Sequence, residues 1–227
     1  TRRSSDLRIS LNLIMKICIV LNGEIEDYEV TRDIIIKECY DCIICADGGA
    51  NHTYKMEIMP DYILGDLDSV EEEKINFYKN KGVKFEKFPS KKDETDTELC
   101  LFLAKTLKAN HIDFFGALGG RIDHTLANIK LLYYLKEDGI YSRILSDKEE
   151  MYIVENEEIS LYGNPGDTIS VIAINGDAKG VTLTGLEYPL DNYYMKYSVP
   201  IGISNVMLSN SCKIKVEQGC VLVVRNL

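Results

Sequence analysis

Two aspartates spaced i, i+2, Asp66 and Asp68, close the short apolar run Tyr62-Ile63-Leu64-Gly65. On a straight strand end that spacing puts both carboxylates on one face, and the glycine before them lets the chain turn so that they converge on a shared cation. Two close carboxylates repel, and a hard divalent metal with oxygen ligands resolves that repulsion. Asp and Ser are also ordinary turn residues, and an isolated Asp-x-Asp is more often a solvated turn than a metal site. Its company argues for a site. Asp93-Glu94-Thr95-Asp96 and Arg121-Ile122-Asp123-His124 each stand beside a periodic apolar segment, so three acidic clusters can meet at one edge of a sheet.

The elements that would position them follow from periodicity. Lys16 to Leu21 is a near-continuous apolar run closed by Asn22-Gly23, as expected of a strand buried on both faces of a parallel sheet. Val30 to Tyr40 has helical spacing, and a second strand, Cys42 to Ala46, stops at Asp47-Gly48-Gly49-Ala50-Asn51. A third, Pro60 to Leu64, delivers Asp66 and Asp68 to the same edge. A helix over Val70 to Lys81, a strand over Val83 to Phe88 and a helix from Thr95 to Ala109 come next, the last with the capping-box pair Thr95 and Glu98. That pair explains part of the acidic cluster but not Asp96, which can project from the helix start into a site. His111 to Phe115 is a strand running into Gly116-Ala117-Leu118-Gly119-Gly120-Arg121, whose spacing is no dinucleotide fingerprint but whose amides and arginine can approach phosphates. A helix over Leu126 to Lys136 follows.

After Asp138-Gly139 the pattern changes to short β-rich runs: 142–156, 158–162, 168–174, 178–184, 204–207, 212–216 and 219–224. The expected fold is an α/β N-terminal domain with a mainly parallel sheet, followed by an all-β sandwich C-terminal domain. The expected bounds are 15–142 and 143–227. Residues 1–14, which open Thr1-Arg2-Arg3-Ser4-Ser5, are expected to be a non-native or disordered leader ahead of a start at Met15.

Composition narrows the function classes. With 227 residues, 45% hydrophobic and 27% charged, the chain can bury a substantial core. A formal net charge of −10 argues against a sequence-independent nucleic-acid surface, and an anionic substrate would need a metal or local Arg and Lys. No run is long and apolar enough to span a membrane, and no signal peptide is visible. Seven cysteines, an odd count with Cys42 and Cys45 inside an apolar run, predict core thiols and a reducing, cytoplasmic compartment rather than a disulfide framework. Cys39-x-x-Cys42-x-x-Cys45 has metal-like spacing, but strand residues three apart face opposite ways.

Taken together, Asp47-Gly48-Gly49-Ala50-Asn51, Gly65-Asp66-Leu67-Asp68-Ser69, Asp93-Glu94-Thr95-Asp96, Gly116 to His124 with Leu126-Ala127-Asn128, and Gly202-Ile203-Ser204-Asn205 resemble the motifs of bacterial-type thiamin pyrophosphokinases, in the family's order. The resemblance implies a homodimer with thiamin in a cleft between subunits, and Mg²⁺-dependent transfer of a pyrophosphoryl group from ATP to the thiamin hydroxyl, giving thiamin diphosphate and AMP. It implies Asp66, Asp68 and Asp96 as metal ligands, with Asp47 and Asp93 behind them or acting through water. Arg121 would pair with phosphate oxygens, and Asp123 would hold Arg121 or a metal-bound water. The ATP site would comprise Asp47, Gly48, Gly49, Asn51, Asp93, Gly119, Gly120, Arg121 and His124, the last standing where some relatives have Gln. Tyr188, Ser204 and Asn205 match the thiamin site. Two readings from other classes compete: a nucleotide-sugar glycosyltransferase using Asp66-x-Asp68, which leaves Gly202 to Asn205 unexplained, and a non-catalytic nucleotide sensor.

Overall fold

The computed structural model describes residues 14–87 and 95–226. Asp93 and the leader through residue 13 therefore lie outside the described residues. The α/β part reads β1 (Lys16–Val20), α1 (Tyr28–Glu38), β2 (Cys42–Ala46), α2 (Gly49–Lys55), β3 (Tyr62–Gly65), α3 (Glu72–Asn80), β4 (Lys84–Lys87), α4 (Asp96–Thr106), β5 (His111–Phe115), α5 (Ile122–Glu137) and β6 (Tyr141–Leu145). Strands β6, β5, β1, β2, β3 and β4 lie side by side in that order and pair in parallel. The chain steps from β1 outward to β4, then crosses back through α4 to β5 and continues the other way to β6. The order therefore reverses between β1 and β5, and in an open parallel sheet the crevice beyond the strand ends at such a point is where ligands bind.

Continuous Ile, Val and Cys runs make these strands because both faces are covered. Ile17, Ile19, Ile44 and Phe114 face α4 and α5, sharing a core with Leu101, Ala104, Leu132 and Leu135. Cys18, Val20, Cys45 and Ile63 face the other way, toward Ile35, Ala50 and Tyr78 of α1, α2 and α3. Cys42 and Cys45 fall in opposite cores, and burial pushes each thiol up to about 12. They pack as core hydrophobes and cannot share an ion.

Sequence periodicity missed two elements. Helix α2 has seven residues and begins inside the glycine-rich stop after β2, where Gly48 and Gly49 argue for a loop. Strand β11 (Leu190–Met195) is an edge strand with exposed Asp191, Asn192 and Tyr194, so its apolar alternation is weak. The run over 142–156 is a hairpin of two strands, with β6 turning at Ser146 into β7 (Glu149–Glu155).

The β-rich part adds β7, β8 (Glu158–Tyr162), β9 (Thr168–Ala173), β10 (Ala178–Thr184), β11, β12 (Asn205–Val206), β13 (Ser211–Lys215) and β14 (Cys220–Asn226). Strands β7, β14, β9 and β12 continue the parallel sheet antiparallel from β6, making ten strands, and β11, β10, β13 and β8 form a second sheet. The sandwich core between them holds Tyr152, Val154, Val171, Val181, Leu183, Ile214, Val221 and Val223. Met151, Ile153 and Leu222, one position out of phase on β7 and β14, belong to the helix-side core instead. A single sheet thus passes through both parts of the chain.

On one face of that sheet the helices α1 to α3 cover one end and the second sheet covers the other. Between them lies a charged seam. Asp113 on β5 is fully buried and takes Arg143 of β6 through Nε at 2.8 Å and Nη2 at 2.6 Å, His111 Nε2 at 2.9 Å and the Tyr40 hydroxyl at 2.7 Å. Arg143 reaches on to Glu150 of β7 at 3.0 Å, and Glu150 to Arg225 of β14 at 3.2 Å. Burial alone would raise the Asp113 pKa, but hydrogen bonds from His111 and Arg143 outweigh it and hold the carboxyl near 2. The folded value lies below the ordinary 3.8, so this carboxylate contributes stability above about pH 4, and the contribution is lost as pH falls toward 2. Asp113→Asn is expected to cost about 3 kcal/mol in urea unfolding at neutral pH, because it leaves partly buried Arg143 short of its main partner. The gap from the parent should narrow as pH drops from about 4 to about 2.

Candidate active site

The loops after β1, β2, β3 and β5 enclose a cavity of about 650 Å³. Its lining brings together Asp47, Asp66, Asp68, Ser69, Asp96, Gly119, Gly120, Arg121 and His124, drawn from four separate stretches of chain. It lies at the strand-order reversal between β1 and β5, as the topology requires.

One carboxylate oxygen from each of Asp47, Asp66 and Asp68 comes within 4.8 Å of the others. Asp47, expected behind the ligands, thus stands among the grouped acids, while Asp96 lines the same cavity from the start of α4. Several local features force this. Gly65, at φ +139°, lies so close to Asp47 that a Cβ would sit 3.0 Å from that of Asp47, so only glycine lets β2 and β3 end side by side. Asp47 and Leu67 both hold left-handed backbone, φ 42° and 67°, uncommon for residues with a side chain. The Asp68 N–H donates to Asp66 Oδ1 at 3.2 Å, closing the turn, and Ser69 Oγ donates to Asp68 Oδ1 at 2.9 Å.

Asp47 is buried, and its Oδ1 has no hydrogen-bond partner. Burial first, then the charges of Asp96 and Asp68, raise its pKa against the opposing bonds from Ser69 and Gly48. A buried, partnerless carboxylate oxygen facing two more carboxylates is an all-oxygen donor set that fits a hard divalent cation.

Across the cavity, the glycine loop is stitched to the β1 loop. Leu21, Gly23 and Glu24 donate backbone N–H groups to the carbonyls of Phe115, Gly116 and Leu118 at 2.8, 2.7 and 2.8 Å. The Gly120 N–H donates to Glu24 Oε1 at 2.9 Å, and Asn128 Nδ2 on α5 donates to the Ala117 carbonyl at 2.8 Å. Sequence reasoning named neither Glu24 nor Asn128 as a site residue. Glu24 carries no local signal, whereas Asn128 stands in the motif Leu126-Ala127-Asn128 without a role assigned to it. Arg121 is exposed at the loop end, and Asp123 takes its Nε at 3.1 Å and its Nη2 at 2.6 Å.

Among the described residues, the remaining expected ones do not line this cavity. Gly49 abuts the β1 end, where a Cβ would lie 2.1 Å from the Val20 carbonyl oxygen, so its absence of side chain serves packing. Asn51 donates Nδ2 to the Ser69 carbonyl at 2.8 Å and accepts from Lys74 at 3.1 Å, bracing the acidic turn from behind. Tyr188, Ser204 and Asn205 lie in the sandwich part. Asn205 is buried, with Oδ1 accepting from the Tyr188 and Val206 N–H groups and Nδ2 donating to the Tyr188 carbonyl at 2.7 Å. Tyr188 itself is 65% exposed.

The description "Thiamin pyrophosphokinase, catalytic domain" matches residues 35–143, and "Thiamin pyrophosphokinase, vitamin B1 binding domain" matches residues 152–221. The chain belongs to the thiamin pyrophosphokinase family. Thiamine pyrophosphokinase 1 of Oryza sativa subsp. japonica is 30% identical over 196 residues, covering 75% of this chain and 74% of that protein. Thiamine pyrophosphokinase of Bacillus subtilis is 29% identical over 176 residues, covering 74% and 79%. The crystal structure of thiamine pyrophosphokinase from Bacillus subtilis superposes with a TM-score of 0.83 at 26% identity, covering 93% of this chain and 98% of that one. The two matched regions of this family member meet across the β6–β7 hairpin, within the one continuous sheet.

Replacing one acid tests the cation site directly. Asp47→Asn is expected to stabilise the metal-free protein by about 1 kcal/mol, by removing a buried, repelled charge. A millimolar divalent cation is expected to raise the melting temperature of the parent, and the same variant should abolish that rise.

Proposed function

We propose that this family member transfers a pyrophosphoryl group from ATP to the hydroxyl of thiamin, releasing AMP and thiamin diphosphate, with Mg²⁺ as the metal. The observation that carries the reading is the convergence, on one cavity of a thiamin pyrophosphokinase fold, of three grouped carboxylates and a glycine loop ending in Arg121. Such transfer needs in-line placement of the hydroxyl against the β-phosphorus and neutralisation of charge on the phosphate oxygens.

Asp47, Asp66 and Asp68 would hold the cation, with Asp96 beside them as a further ligand. When bound, the cation supplies neutralisation of the nucleotide's phosphates. Arg121 is a bidentate donor suited to phosphate oxygens. Its ion pair with Asp123 costs little to open, because both side chains are exposed. Asp123 would aim the guanidinium, and Asp93 and His124 would contribute at the nucleotide's edge. Gly48, Gly49 and Asn51 would serve the nucleotide site by bracing Asp47 and the acidic turn.

For thiamin, Asn205 acts by shape. With its amide committed to the backbone around Tyr188, it presents that exposed ring for stacking or for a thiazolium cation. Ser204, in left-handed backbone at φ 57°, would offer its hydroxyl to the aminopyrimidine. These residues do not line the acidic cavity of their own chain, which fits a homodimer whose partner completes each site. No described helix is long and apolar enough to cross a membrane, and a cytoplasmic location agrees with the six buried thiols.

Incubation with ATP, Mg²⁺ and thiamin should yield AMP and thiamin diphosphate in equal amounts by chromatography, and Asp68→Asn should lower kcat by about 100-fold or more. ATP binding without AMP formation would refute the assigned acceptor. Light scattering should give the mass of two chains, and a single-chain mass would remove the shared site.

A further inference from the structure

We propose that His52 is a positioning residue for the nucleotide side of the cavity, acting in its neutral form through the carbonyl of Gly23. The use of the wall rests on the nucleotide reading above, whereas the clamp is independent of it. His52 lies on α2, half-buried and outside the cavity lining. Its Nε2 is 2.8 Å from the Gly23 carbonyl oxygen, and its Nδ1 is 2.8 Å from the Tyr28 hydroxyl on α1. A carbonyl can only accept, so the ring proton sits on Nε2, and Nδ1 accepts from Tyr28. One tautomer satisfies both contacts.

What His52 grips is the residue on which the cavity wall turns. Gly23 donates its N–H to Gly116, and a Cβ there would lie 2.3 Å from that carbonyl oxygen and 2.5 Å from that of Leu118. Glu24 then carries the contact to Leu118 and, through its carboxylate, to the Gly120 amide. Gly23, Glu24, Gly116, Gly119 and Gly120 all line the cavity. The series Tyr28, His52, Gly23, glycine loop therefore ties α1 and α2 to the amides that would meet phosphate. Beyond the strand end no strand among the described residues serves the Gly23 carbonyl, and the imidazole takes that place.

The groups facing the ring are few. Helix α1 presents the Tyr28 hydroxyl, α2 presents Lys55, whose Nζ lies 3.4 Å from that hydroxyl, and the β1 loop presents the carbonyl. Burial, aided by Lys55 and opposed by the Gly23 bond, keeps the imidazole pKa below 6.5. A second proton on Nδ1 would face a hydroxyl that must turn and accept in competition with Lys55, so acid loosens the Tyr28 side of the clamp.

The test uses the full chain with His52→Ala and His52→Gln, the latter able to donate an amide N–H to Gly23 without titrating. In His52→Ala, hydrogen exchange at 21–24 and 116–120 should quicken about ten-fold without ligand, and calorimetric affinity for ATP with Mg²⁺ should fall about ten-fold at neutral pH. His52→Gln should stay within about two-fold on both measures. The comparison of parent with His52→Gln matters across pH, because the terminal phosphate of ATP titrates in acid as well: near-equal affinities at about pH 8 should diverge as the pH falls well below 6.5, the parent weakening more. Unchanged exchange in His52→Ala, or equal impairment of both variants, overturns the clamp. If exchange responds as stated and the parent binds no ATP, the clamp stands and the nucleotide reading fails.

Discussion

Like charges held together are the constraint on which the rest of this structure depends. Asp47, Asp66 and Asp68 gain nothing from one another in the absence of a cation, so the fold must supply the energy that gathers them. It does so with parallel strands that end at the same level, a glycine that lets two strand ends touch, two left-handed residues in the turns, and Asn51 bracing from behind. Local strain and a partnerless buried oxygen are tolerated because a large two-sided core surrounds them. This is the expected signature of a site built for binding at some expense of stability.

The strand order decides where such a site can lie. Reversal between β1 and β5 opens a crevice, and the loops that leave those two strands are the ones hydrogen-bonded into a common wall. The acids come from strands on one side of the reversal and the glycine loop from the other. A bound nucleotide with its metal would span that divide.

The second part of the chain is less separate than its composition implies. Strands β7 and β14 each bury one face against the helices and the other against the second sheet, so the two parts share one sheet. Where the coverings change over, hydrophobic contact is interrupted and the Asp113–Arg143–Glu150–Arg225 series fills the gap. Hydrogen bonds and ion pairs outweigh desolvation at Asp113, while Arg225 Nε at the far end of the series stays without a partner. Similarly, the Asn205 amide is bonded to the backbone of Tyr188 and Val206.

Much was legible in the residues alone. Short apolar runs of Ile, Val and Cys bounded by turn residues read as strands covered on both faces, helical spacing marks their crossovers, and the paired acids after Gly65 mark a candidate cation site. Short elements were not legible: α2 begins among glycines, and β11 is too exposed to alternate cleanly, so neither carries a periodic signal. Nor was the division of labour among site residues. Asp47 joins Asp66 and Asp68 because β2 and β3 are neighbours in register, Asn51 braces the acidic turn from behind, Gly49 packs against the end of β1, and Glu24 meets Gly120 across 96 residues. The sequence determined which residue types could do the chemistry and which elements would carry them, because those depend on local spacing. Only the tertiary structure decided which of them meet, because that depends on strand order and on close approaches between segments far apart in the chain.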